Sequence, residues 1–137
     1  MMIREVMTRG VHTLEYSASL REAARLMAEE DIGSVPVVRD EQLVGMVTDR
    51  DLVIRGLARS VAEDAPLSTV MTPGIRFCFD DQSVEEVASI MAELGVRRLP
   101  VVDREKRLVG FISLANINGA ESLRALDTLL DGVATPH

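Results

Sequence analysis

The stretch GMVTDRDL (residues 45–52) returns in altered form as GFISLANI (residues 110–117), and this correspondence decides the fold. Each copy opens with glycine, two apolar residues and a hydroxyl. Thr48 then answers to Ser113, Asp51 to Asn116 and Leu52 to Ile117. Working outward, Leu43-Val44-Gly45 matches Leu108-Val109-Gly110 at an offset of 65. Upstream of the polar turn the offset becomes 64. There Pro36-Val37-Val38 meets Pro100-Val101-Val102, Met27-Ala28-Glu29 meets Met91-Ala92-Glu93, and Val6-Met7-Thr8 meets Val70-Met71-Thr72. So many matches in register, with one insertion at a turn, identify two copies of a single unit.

Each copy reads the same way. A first strand is expected over Val11–Leu14 and Ile75–Phe79. Ser19 with Glu22, and Ser83 with Glu86, have the spacing of a capping box. Leu20, Ala23, Ala24 and Met27 then share one helical face, as do Val84, Val87, Ala88 and Met91. The helices should stop near Asp31 and Gly95. The β-branched runs Val35–Val38 and Leu99–Val102 read as buried strand, with Pro36 and Pro100 tolerated at the strand start. The polar turns Arg39–Gln42 and Asp103–Arg107 lead into Leu43–Val47 and Leu108–Ile112, which makes a hairpin. A second helix should run over Asp49–Arg59, and its counterpart from about Ala115. The fold class is therefore α/β (α+β): two β-α-β-β-α units, each covering the other's open sheet face. Residues 1–60 form the first unit, 61–69 the connection, 70–118 the second unit, and 119–137 a C-terminal helix and tail carrying Leu123, Leu126, Leu129 and Leu130.

Composition narrows the function. The 137 residues carry a net charge of −7 and are 47% hydrophobic but only 3% aromatic, so the core is aliphatic. An acidic chain without a basic face is no binder of nucleic-acid polymers. There is no apolar run of about 18 residues, so no membrane span is expected. The start MMIREVMTRG lacks the apolar segment of a secretory signal. With Cys78 as its one cysteine the chain has no internal disulfide, and a cytoplasmic location is expected. Cys78 and the repeated methionines read as core. No nucleophile elbow, phosphate-binding glycine loop or usable histidine pair is present, so no enzyme is expected. His12 has only His137 for company and no zinc-site spacing.

The combination of VMT, the capped helix ending in MAEEDIGSVPVV or MAELGVRRLPVV, and the closing GMVTDRDL or GFISLANI resembles a tandem pair of cystathionine-β-synthase-type (CBS) domains over residues 3–118. The resemblance implies two units related by pseudo-two-fold symmetry, with clefts between them that bind adenosine-containing ligands (AMP, ADP, ATP or NAD, with S-adenosylmethionine less expected). It implies a regulatory role, and a homodimer assembled as a disc of four units.

An adenine nucleotide needs an apolar slot, a carboxylate for the ribose diol, and hydroxyls or cations for phosphate. Thr48 and Asp51, three apart at a strand-to-helix junction, suit phosphate and ribose. A plain helix cap reads identically from spacing alone. The repeat and the family motif favour the ligand role in the first copy, with Asp49 beside it. In the second copy Ser113 and Asn116 occupy these places, and the amide accepts more weakly from a diol, so the sites should be unequal. The resemblance sets Arg97 or Arg98 where a basic residue reaches phosphate; the alternative is a solvated pair. Val35 and Leu99, next to Pro36 and Pro100, should offer backbone to the base, and Val11, His12 and Ile75 should line its pocket. The first expectation is a stand-alone sensor that signals to an unidentified effector protein. The second is a protein-interaction or dimerisation module with vestigial sites.

Overall fold

The computed structural model describes residues 1–121. The leucines at 123–130 lie outside the described residues. Two sheets carry the fold, one per repeat. In the first, β1 (Leu14–Glu15) lies parallel to β2 (Ser34–Arg39), which forms an antiparallel hairpin with β3 (Gln42–Thr48). In the second, β5 (Cys78–Phe79), β6 (Arg98–Val102) and β7 (Leu108–Ser113) repeat this order. Even the irregularity is copied: the register slips at Val37/Val38 and again at Val101/Val102.

The hairpin turns differ because of the insertion. Asp40 and Glu41 both have positive φ, as a two-residue primed turn requires. The longer second turn is organised by Asp103, whose Oδ1 accepts from the amides of Glu105 and Arg107 at 2.9 and 3.0 Å.

Helix α1 (Leu20–Glu30) and helix α3 (Val84–Leu94) start on Ser19 and Ser83, whose hydroxyls accept from the amides of Glu22 and Glu86 at 3.1 Å. The boxes are half made. The return bond from the glutamate does not form, and Glu86 instead accepts from Gln82 at 3.1 Å. Both helices end on a left-handed residue, Asp31 or Gly95. Leu20, Ala23 and Met27 are buried; Ala24, at the border of the stripe, is exposed.

Two expected elements are corrected. The first strands cover only Leu14–Glu15 and Cys78–Phe79, because residues 11–12 and 75–76 border cavities and have no neighbouring strand to bond. The helix after β3 is present but irregular. Asp49–Asp51 (α2) is α-helical, Leu52–Gly56 widens into a π turn, and Leu57–Arg59 tightens to a 3-10 turn. The widened turn sets the Gly56 backbone against α1, where a Cβ would come 2.9 Å from Leu20 Cδ2. The counterpart after β7 is helical from residue 114 through 121.

The two cores exchange their leading segments. Ile3, fully buried, packs with Cys78, Val87, Met91 and Ile112 of the second repeat. Its equivalent Leu67, together with Val70, packs with Ala23, Val35 and Val47 of the first. The stretch 60–69 is thus part of a core as well as a connection. The following residues cross as strands: β4 (Thr72–Pro73) pairs with Gly45 and Met46, and Thr8 bridges Phe111 through bonds of 2.8 and 2.9 Å. This explains the glycine that opens each motif. A Cβ on Gly45 would lie 2.7 Å from the Thr72 carbonyl oxygen, and one on Gly110 would lie 2.5 Å from that of Thr8. Real Cβ atoms do not approach backbone oxygen so closely, so the crossing segment requires glycine.

Candidate functional site

Apart from a cavity of about 440 Å³ between the two hairpin turns, two cavities open where the repeats meet, of about 390 and 310 Å³ beside Pro36 and Pro100. They are built from equivalent positions. Val11 and His12 border the first; Ile75 and Arg76 border the second. Ile32 and Pro36 answer to Val96 and Pro100. Each cavity also takes a wall from the other half: Arg98 and Phe111 reach the first, while Ser34 and Met46 reach the second. Such walls offer an apolar slot with a few polar groups, the usual character of a small-molecule site.

The charges differ between the two. His12 and Asp31 stand in the first cavity where Arg76 borders the second and Gly95 lies outside its lining. His12 Nε2 is 3.3 Å from Glu30 Oε2. The Arg98 guanidinium lies 5.0 Å from the Phe111 ring centroid, a cation–π contact, and borders both cavities. Arg97 does not border them; its carbonyl accepts from the Leu114 amide at 2.9 Å. Of the residues before the prolines, Leu99 lines the second cavity, whereas Val35 turns fully into the core.

The strand-to-helix motifs sit just outside these linings. Thr48 and Asp51 cap each other: the Thr48 amide donates to Asp51 Oδ2, and the Asp51 amide donates to Thr48 Oγ1, both at 3.0 Å. Ser113 and Asn116 do the same at 3.1 Å, and the Ser113 hydroxyl also donates to Asn116 Oδ1 at 2.7 Å. Asp51 Oδ1 is 3.7 Å from Arg55 Nε, an ion pair across one helical turn. Asp49 joins motif to cavity. Its amide donates to the Gly33 carbonyl at 2.9 Å, and its Oδ2 would lie 3.3 Å from a Cβ at Gly33, which borders the first cavity. The capping geometry thus occupies the side chains that the sequence offers for a ligand.

Sequence reasoning missed Met46 and Phe111. Their signal was strand alternation: Val47 and Ile112 point into the cores, so their predecessors point out of them, toward the cavities. Cys78 is buried, its Sγ 3.8 Å from the Pro100 carbonyl, and burial pushes the thiol up to about 12. Among the described residues no cluster of three His, Cys, Asp or Glu side chains is placed to hold a metal, and no helix is long and apolar enough to cross a membrane.

Known proteins share this arrangement. The CBS domain family model matches twice, at residues 3–57 and 61–122. The CBS domain-containing protein YhcV of Bacillus subtilis is 35% identical over 115 residues, 84% of this chain and 81% of that one. A crystal structure of Hypoxic Response Protein I with two coordinated zinc ions superposes with a TM-score of 0.72 at 36% identity, covering 86% of this chain and 97% of that one. A structure of CBSX2 in complex with AMP superposes with a TM-score of 0.75 at 27% identity, covering 90% and 98%. With its duplicated units, its exchanged leading segments and its paired cavities, the chain belongs to the CBS domain family and carries two such domains in tandem.

Proposed function

We propose that this chain is a non-catalytic regulatory module that binds an adenine nucleotide in the cleft between its two halves and reports energy or redox state to a partner. The observation that carries this reading is the pair of cavities, each walled by both repeats. A ligand there touches both halves and favours the arrangement that best encloses it. The AMP held by the similar CBSX2 structure supports the ligand class. In this reading the base lies against Pro36 and Ile32 or their counterparts, and Arg98 meets phosphate. The ribose diol donates to Asp51 Oδ1, the oxygen that the Thr48 amide leaves unused. AMP, ADP, ATP and NAD suit an arginine-lined cavity; S-adenosylmethionine, with its cationic sulfur, suits it less. The site of action is the cytoplasm, where such nucleotides are plentiful.

A homodimer belongs to the same proposal. Val53, Ile54 and Leu57 are exposed on the helical stretch after β3, Leu57 to 76%. This apolar face also favours a second reading, a protein-interaction module whose cavities stay empty.

Thermal shift with AMP, ATP, NAD and S-adenosylmethionine separates the two, because a ligand that binds only the folded chain raises its melting temperature. No shift from any of them at millimolar concentration sinks the nucleotide reading. Light scattering should give twice the 15.0 kDa chain mass; a monomer sinks the dimer.

A further inference from the structure

Among the described residues Arg98 is the one cationic side chain that borders both cavities, and the other residues they share are Ser34 and Phe111. By the repeat, Ser34 is the position equivalent to Arg98, so the first half supplies a hydroxyl where the second supplies a guanidinium. The two cavities therefore share one guanidinium, to which the second alone adds Arg76. We infer that Arg98 couples the cavities antagonistically: a nucleotide phosphate held by Arg98 in one cavity disfavours a phosphorylated ligand in the other. This rests on the nucleotide reading and adds to it a rule of occupancy.

The physical basis is direct. A guanidinium forks onto one phosphate at a time. The second anion meets a committed cation and the charge of the first ligand. Arg76 borders only the second cavity, so that cavity fills first, while the first keeps Asp31 facing any phosphate. A ligand without phosphate escapes the rule, because the apolar walls are duplicated and Arg98 is shared.

Native mass spectrometry and calorimetry with AMP and with adenosine test this. AMP should bind once per chain, with a second equivalent at least about tenfold weaker, the loss of one charge-assisted hydrogen bond. Adenosine should bind twice without that gap. Arg98→Ser, which restores the symmetry with Ser34, should weaken the first AMP about tenfold and narrow the gap to what Arg76 and Asp31 still impose. Two equal AMP sites in the unmodified chain, or an unchanged gap in Arg98→Ser, overturn the coupling and leave nucleotide binding standing. Absence of binding by both AMP and adenosine overturns both.

Discussion

Gly110 lies so close to Thr8 that a single added methyl group would sit 2.5 Å from the Thr8 carbonyl oxygen. The neighbour is backbone, tied in place by two hydrogen bonds to Phe111, and cannot swing away. Gly110→Ala should therefore cost about 1–3 kcal/mol in urea unfolding, the range of an overpacked core. Gly45→Ala, with 2.7 Å to the Thr72 carbonyl oxygen, should behave alike. Gly119→Ala, in open space on the last described helix, should be neutral or stabilise by up to ~1 kcal/mol. Equal effects at all three positions would remove the steric account of the repeated motif.

Asp51→Asn separates cap from ligand contact. Asn116 already shows that an amide oxygen can accept the strand-end amide, at 3.1 Å in the second repeat. The variant should keep its melting temperature within the effect of a lost exposed ion pair to Arg55, below about 1 kcal/mol. It should nonetheless weaken AMP, because a carboxamide accepts less strongly from a diol than a carboxylate. Asp51→Ala should lose about 1 kcal/mol of stability even without nucleotide. AMP affinity unchanged in Asp51→Asn would move the ribose contact elsewhere.

Cys78 should ignore thiol reagents in the native protein. Burial pushes its thiol to about 12, and the thiolate is the reactive form. Labelling with a chromogenic disulfide should be slow in buffer and fast in denaturant. Fast labelling of the folded chain would show a route to the second core that the packing does not contain.

Acid should loosen the chain through Asp81 and Asp103. Hydrogen bonding from Arg104 holds Asp81 below its ordinary 3.8. Asp103 is also held low: burial raises it, but the amide and guanidinium of Arg107 outweigh that. A carboxyl depressed in the folded state contributes stability that is complete above its unfolded value and lost as pH falls through its folded value. Unfolding curves should thus be flat above about pH 4 on this account and decline below it. Arg104→Ala should make that decline shallower. An identical acid limb in the variant would assign the loss to other carboxylates.

Much of this architecture was legible in the chain because duplication lets each copy check the other. Ser19 and Ser83, Pro36 and Pro100, and the closing hairpins all act locally, and local chemistry reads directly from sequence. What escaped depends on contacts between distant segments. Nothing near Gly45 announces that the Thr72 carbonyl will lie over it. Strand length failed at Val11 and Ile75 because alternation reports a face, whereas a strand also needs a neighbour. Of the residues expected to meet a ligand, Val11, His12, Pro36, Ile75, Leu99 and Arg98 border the cavities. Phe111 was missed because an aromatic residue after a buried glycine looks like core. Thr48 and Asp51 stayed double in meaning, since a cap and a ribose contact use the same two side chains.

The exchange of leading segments also sets an order of assembly. During synthesis the first core can close once Leu67 and Val70 have left the ribosome, because everything it contains lies before them. The second core has to wait for Ile117 and must then take in Ile3, made before any residue of the first core. The segment around Ile3 is thus the last to be seated, and it waits unpacked while the first core is already folded. A chaperone that holds the segment around Ile3 would leave the first core intact and keep the second open.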